Sequence, residues 1–275
     1  MNELIEAAAQ AVGEARAKKP LAPAITNVIT VDFVVNAQLA VGGSGAVTYL
    51  ADEISPLASV SGALYINMGS LLPVHEAAVP AAIKSCAASG VPWVLDPVGI
   101  GLGNMRIGLY GQMRQFPPAI IRCNASEAIA LAETWELDAG ISGGSVRGVD
   151  STDTVAAARG AAIALARFTH GAVAVSGDAD LVTDGASVAR VGGGSPLFTA
   201  VTGSGCSLGG VCAVYASVAE PFAAAVAASS AYAVAGERAA QESRGPASFK
   251  VAFLDELYRI VPADIAAADI VVEEA

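Results

Sequence analysis

Short apolar runs recur along this chain, and segments of helical periodicity separate them. The runs fall at residues 46–50, 64–67, 93–96, 120–121 and 172–175, after a first short one at Ala24, Ile25 and Thr26. Between them, the spacing predicts helices up to about Lys19, over residues 33–41, over 75–89 and over 154–168. Pro20 and Pro23 stop the first of these, and Gly42-Gly43 ends the second. Strands that alternate with helices build βαβ units, which assemble into a mostly parallel sheet covered on both faces. The alternation breaks after Val175, where residues 181–183 and 187–191 flank Asp184-Gly185 and predict a hairpin. Three helical stretches follow, from about Gly205 to the end. Residues 138–151, with four glycines, are the most loop-like part of the interior. No repeat or low-complexity linker divides the chain, so the expectation is one α/β domain over residues 1–275.

The core such a fold needs is available, because 54% of the residues are hydrophobic and only 15% are charged. Those figures also raise the question of a membrane protein. The longest uncharged stretch, residues 191–219, is long enough to span a bilayer, but it holds seven glycines and four serines. The next, residues 221–236, is mostly alanine, whereas lipid-facing helices favour Leu, Ile and Phe. Helices that are apolar all round also occur buried in large α/β domains, and that is the expectation here. A net charge of -11 argues against general affinity for nucleic acid. Four cysteines without a CxxC pair, and two isolated histidines, argue against a zinc site or a disulfide scaffold. The first residues are acidic and amphipathic, unlike a secretory leader, so a cytoplasmic protein with reduced thiols is expected.

The strongest local signal is Thr202-Gly203-Ser204-Gly205-Cys206, followed by an apolar helical run. Gly203 and Gly205 permit a tight turn and close approach to a ligand. The first amides of the helix lack internal partners, and with the helix dipole they would attract phosphate around Gly203, Ser204 and Gly205. The same glycines serve equally well to let a buried helix pack closely. No GK[ST] follows them, so this is not a Walker A loop. Cys206 stands where the helix begins, and the dipole is expected to lower its thiol from roughly 8.5, enabling it to take a proton. A small buried hydrophobe is the more usual fate of a free cysteine.

Arg122 and Asn124-Ala125-Ser126-Glu127 follow the run at 120–121, where an arginine can meet phosphate at a strand's C-terminal end. Asn124 and Glu127 have capping-box spacing, and Glu127 is also placed to hold a magnesium-water shell. Asp96 ends another strand and is a second candidate for magnesium. The glycines after it (Gly99, Gly101, Gly103) fit a dinucleotide fingerprint poorly, since Asn104 replaces the last and no acidic residue follows at the needed distance. Asn27, Asn36 and Asn67 accompany apolar segments, and Ser176, Gly177 and Asp178 follow the run at 172–175.

Taken together, these segments resemble hydroxyethylthiazole kinase, a family of the ribokinase-like superfamily. The matching blocks, in order, are ITNVIT at 25–30, INMGSL at 66–71, VLDPVGIG at 94–101 and RCNASE at 122–127. VAVSGDAD at 173–180, TDG at 183–185 and VTGSGC at 201–206 complete them. The resemblance implies a three-layer ribokinase-like fold and ATP-dependent phosphorylation of 4-methyl-5-(2-hydroxyethyl)thiazole, a step of thiamine salvage. It implies Cys206 in the place of the catalytic Asp of most ribokinase-like enzymes, with the anion hole at Gly203, Ser204 and Gly205. It further implies Arg122 and Ser176 at ATP, Asp96 and Glu127 at Mg2+ and phosphate, and Asn27, Val47, Gly69 and Gly203 at the substrate. Val47 replaces a Met that lines the thiazole pocket in the family, which leaves room for a larger alcohol. A homotrimer with sites at subunit interfaces is implied as well. The alternatives are another ribokinase-like kinase, such as one for hydroxymethylpyrimidine, and a non-catalytic thiazole or nucleotide sensor.

Overall fold

The computed structural model describes residues 2–139 and 155–275. The chain opens with α1 (Asn2–Lys18), β1 (Leu21–Ile25), α2 (Val31–Ala40), β2 (Ser44–Val47), α3 (Ala51–Val60), β3 (Leu64–Asn67) and α4 (His75–Ser89). It continues through β4 (Trp93–Asp96), α5 (Gly103–Met113), β5 (Ile120–Asn124), α6 (Ala125–Thr134), α7 (Val155–Thr169) and β6 (Ala172–Ser176). The hairpin β7 (Asp180–Thr183) and β8 (Ser187–Val191) precedes a 3-10 turn, Pro196–Ala200. Last come α8 (Ser204–Ala216), α9 (Pro221–Glu242), α10 (Pro246–Arg259), α11 (Pro262–Ala266) and β9 (Ile270–Glu274).

Among the described residues these strands form one sheet in the order β2-β1-β3-β4-β5-β6-β7-β8-β9. Pairings from β2 to β6 are parallel, and those of β7, β8 and β9 are antiparallel. Successive residues of a strand point to opposite faces, so each central strand feeds two cores. Tyr65, Val94, Ile120 and Ala174 pack on one side, with residues of α2, α8 and α9. Ile66, Leu95, Ile121 and Val173 pack on the other, with residues of α4, α6 and α7. This is the three-layer arrangement expected.

The long uncharged stretches become buried helix. In α8 nearly every residue is buried, and in α9 burial is continuous from Ala223 to Tyr232. Alanine lets both helices lie close to the sheet. Among the described residues no helix is long and apolar enough to cross a membrane.

Several elements differ from expectation. β1 begins at Leu21 and runs through Pro23, which is tolerated because only Ala24 and Ile25 pair with β3. The second strand is Ser44–Val47 rather than residues 46–50, and Leu50 instead precedes α3. The C-terminus is not helical to its end, since α10 is followed by a short helix and the edge strand β9. β9 pairs with β8 along its whole length, and Arg159 meets Glu273 there, contacts invisible to local periodicity. Of the loop expected at 138–151, residues 140–151 lie outside the described residues.

What the fold does for function is to bring strand ends together. β3, β4, β5 and β6 finish at one edge with Asn67, Asp96, Asn124 and Ser176, and the register pairs Asn67 with Asp96 and Asn124 with Ser176. Ligands of open α/β sheets bind outside this edge. The 3-10 turn that leads to the glycine loop is pinned by Phe198. Its ring lies edge-on to Phe249 at 5.1 Å and to Phe253 at 5.0 Å, and Phe253 meets Tyr232 at 4.9 Å. Replacing the fully buried Phe253 by Ala should therefore lower unfolding stability by about 3–5 kcal/mol in urea titration. A loss below about 1 kcal/mol would show that this cluster does not anchor the turn.

Candidate active site

The glycine loop is shaped by two close approaches. Gly203 caps α8 with φ +86°, and a Cβ there would sit 2.9 Å from the Thr30 methyl. Gly205 lies directly against Arg122, so a Cβ would run into the guanidinium. The amides of Gly205 and Cys206 fall in the first turn of α8, where no intrahelical carbonyl is available to them. The helix dipole adds positive potential at the same place.

Arg122 is held from two sides. Its Nη2 donates to the Ser176 hydroxyl at 2.9 Å, and its Nη1 lies 3.5 Å from Asp96 Oδ2. Burial works against its charge, but Asp96 and Glu127 more than offset that, so it stays a cation. Asp96 is fully buried, and burial raises its carboxyl while Arg122, Tyr65 and Asn67 pull the other way. Tyr65 donates to its Oδ2 at 3.0 Å, whereas Oδ1 has no hydrogen-bond partner among the described residues. Arg122 Nε is likewise without one.

Glu127 completes the capping box of α6, with Asn124 Oδ1 accepting from its amide at 2.8 Å and its Oε2 accepting from the Asn124 amide at 2.9 Å. Its carboxyl is pushed up to about 7 by burial and by Asp96, against the pull of Arg122. The capping-box reading of Glu127 thus holds. Two carboxylates within each other's field, one with a free oxygen, suit a hard cation that takes its other ligands from phosphate and water. Among the described residues no group of three His, Cys, Asp or Glu could hold a metal unaided.

On the other side of the glycine loop stands Cys206. Its thiol is half-buried against the core, and burial, then Asp96, push it up to about 11. The expected lowering by the helix dipole is therefore overturned: desolvation of the thiolate and a nearby carboxylate outweigh the dipole. Asn27 Nδ2 lies 3.9 Å from the sulfur and also donates to Asn67 Oδ1 at 2.9 Å. Asn67 Oδ1 accepts the Gly69 amide as well, at 2.9 Å. Val47 ends β2 beside Ala24 and packs on the same apolar cluster as Cys206.

Ser176, Arg122, Ser204 and Gly205 line a common cleft, which also takes in Asp180 and Gly194. Asn27, Asn67 and Gly69 gather on the Cys206 side. Sequence reasoning missed Tyr65 and Asp180. Tyr65 lies two residues before Asn67 on the same strand, and that period-2 spacing to a strand-end Asn was the available signal. Asp180, whose Oδ1 accepts the Gly177 amide at 3.1 Å, closes the block at 173–180, and that position was the available signal.

The model of the hydroxyethylthiazole kinase family matches residues 12–263. A hydroxyethylthiazole kinase of Bifidobacterium adolescentis is 46% identical over 98% of this chain and 96% of its own. The structure of a hydroxyethylthiazole kinase from Pyrococcus horikoshii superposes with a TM-score of 0.86 at 28% identity, covering 100% of both chains. A Staphylococcus aureus pyridoxal kinase in complex with ADP shares the fold, with a TM-score of 0.60 at 15% identity over 93% of this chain and 98% of that one.

The contact between Gly205 and Arg122 yields a direct prediction. Gly205→Ala should displace the guanidinium and reduce kcat/KM for ATP by about 10²-fold, and lower the unfolding midpoint as the buried pair with Asp96 loosens. A variant with unchanged kcat/KM would show that Arg122 need not lie against the loop.

Proposed function

The chain belongs to the hydroxyethylthiazole kinase family, and from that premise we propose that it transfers the γ-phosphoryl group of ATP to the hydroxyl of 4-methyl-5-(2-hydroxyethyl)thiazole. The observation that carries the reading is the convergence, at the start of α8, of two amides without a backbone partner among the described residues (Gly205 and Cys206), the buried Arg122 and the Cys206 thiol. One ATP-dependent kinase reaction uses all three. Purified protein with ATP and magnesium should form ADP only when the thiazole alcohol is added. Absence of alcohol-dependent ADP formation would overturn the substrate assignment.

In this mechanism the alcohol lies between Asn27, Gly69, Val47 and Gly203, with its hydroxyl at Cys206. Arg122 and the Ser176 hydroxyl orient the phosphates of ATP. The alcohol oxygen attacks the γ-phosphorus, the bond to the β-γ bridging oxygen breaks, and ADP leaves. The amides of Gly205 and Cys206 stabilise the charge spread over the transferred oxygens, which is the main catalytic demand of a loose transition state; the Ser204 amide, expected to join them, donates to the Val201 carbonyl at 3.4 Å instead. Asp96 and Glu127 would hold Mg2+, which when bound draws charge from the β- and γ-phosphate oxygens. The hydroxyl proton passes to the Cys206 thiolate and from there to solvent.

The same reading makes the reaction a step of thiamine salvage, carried out by a single domain in the cytoplasm. Its working unit is a homotrimer with the thiazole sites at subunit interfaces. Large apolar residues exposed beside Asn27 support an interface there, since Val28 and Ile29 are 57% and 65% exposed.

A thiol near 11 sets a pH dependence. The thiolate fraction, and with it turnover, should rise about tenfold per pH unit between about pH 7 and pH 9. Cys206→Ala should lose that slope and about 10²-fold or more in turnover, with KM for ATP nearly unchanged. Cys206→Asp should retain activity with a flatter profile. Near-normal turnover in the Ala variant would leave the backbone anion hole as the main catalyst.

A further inference from the structure

We propose that Tyr65 and Asn67 are positioning residues that hold Asn27 and Asp96, on opposite sides of the reaction, in one fixed relation through a directed chain of hydrogen bonds. The direction follows from two backbone amides. Ile29 N–H donates to Asn27 Oδ1 at 3.2 Å, which commits that oxygen and turns the Asn27 amino group toward Asn67 and Cys206. Gly69 N–H donates to Asn67 Oδ1, which turns the Asn67 amino group toward Tyr65, where it donates to the phenolic oxygen at 3.0 Å. Tyr65, accepting on that side, directs its own proton to Asp96 Oδ2 at 3.0 Å. Flipping Asn67 would set the Gly69 N–H against an amino group in the buried interior, and flipping Asn27 would break its buried bond to Asn67 Oδ1 as well as the one from Ile29. Tyr65, Asn67 and Asp96 are 0% exposed and Asn27 is 5% exposed. A buried polar group left unpaired costs far more than a made hydrogen bond contributes, so the orientation is enforced.

The backbone supports the same chain. Tyr65 and Asn67 share one face of β3 because they are two residues apart, and Asn67 pairs in register with Asp96 on β4. The outer ends of the chain are the Asn27 amino group, 3.9 Å from the Cys206 sulfur, and Asp96, which with Oδ2 occupied presents Oδ1. Within the alcohol-kinase reading, on which this inference rests, one end faces the attacking hydroxyl and the other the transferred phosphate. Tyr65 and Asn67 touch neither substrate in that reading; they act through Asn27 and Asp96.

The test uses Tyr65→Phe, which removes one hydroxyl and keeps the ring, together with Asn27→Ala and the double variant. Hydrogen exchange should accelerate by about tenfold in the peptides holding Ile29 and Gly69 of Tyr65→Phe, and not in residues 187–191 at the far side of the sheet. This readout needs no ligand and is independent of the substrate reading, which wild-type binding of the alcohol tests separately. By calorimetry without ATP or magnesium, Tyr65→Phe should weaken thiazole-alcohol binding by about threefold or more, although the lost hydroxyl is two hydrogen bonds from Asn27. The double variant should bind no worse than the weaker single one. Unchanged exchange at Ile29 and Gly69, a rise spread equally through the sheet, or losses that multiply in the double variant would each overturn the proposal. Should Tyr65→Phe not fold, Asn67→Ser breaks the same chain and is judged by the same outcomes.

Discussion

Arg122 and Asp96 face each other inside the protein, where water solvates neither charge. Bringing two ions into such a place costs several kcal/mol each unless other hydrogen bonds take over from water. Here Ser176 and Tyr65 supply part of that compensation, and Arg122 Nε and Asp96 Oδ1 are left without partners among the described residues. A buried pair of this kind is poor evidence for stability. What it provides is a cation and an anion, already desolvated, beside the first-turn amides of α8. The loop geometry depends on it as well, because the guanidinium occupies the space that any side chain at position 205 would take.

The surroundings keep this pair in place. α8 crosses β3, β4 and β5 with nearly every residue buried, and its small residues let it lie close enough for Gly205 to reach Arg122. At the entrance to the loop, Phe198 ties the preceding turn to α9 and α10 through ring contacts. At the other side, the asparagines and Tyr65 connect the thiol end of the site to the carboxylate end. Burial also explains the thiol. A cysteine at a helix start is usually a better acid than a free one, but burial and then the Asp96 field reverse that at Cys206.

Much of this was legible in the chain. The glycine loop was read from its glycines at a helix start, and Arg122, Asp96, Glu127, Ser176 and Asn27 from their places at or just after apolar runs; the structure brings them to one edge of the sheet. The Asp184-Gly185 hairpin and the alternating units were legible for the same reason: turn chemistry and periodicity are local. Tyr65 was not, because a tyrosine inside a buried strand reads as core until its hydroxyl is seen to meet Asp96. β9 was missed because five residues ending in two glutamates become a strand only when β8 offers an edge. The direction of the Cys206 shift was misread because the helix start is visible in sequence and the depth of burial is not.

By itself, then, the sequence determined the layer order of the fold, the location of the glycine loop and the types of side chain that gather beside it. Those depend on periodicity, on glycine where backbones approach closely, and on residues placed just after strands. Only the tertiary structure decided which of these groups share a field, which oxygen of Asp96 remains open, and whether the thiol is a stronger or weaker acid than usual. Desolvation and Coulomb interaction depend on distances between segments far apart in the chain, and those distances exist only once the sheet has closed around them.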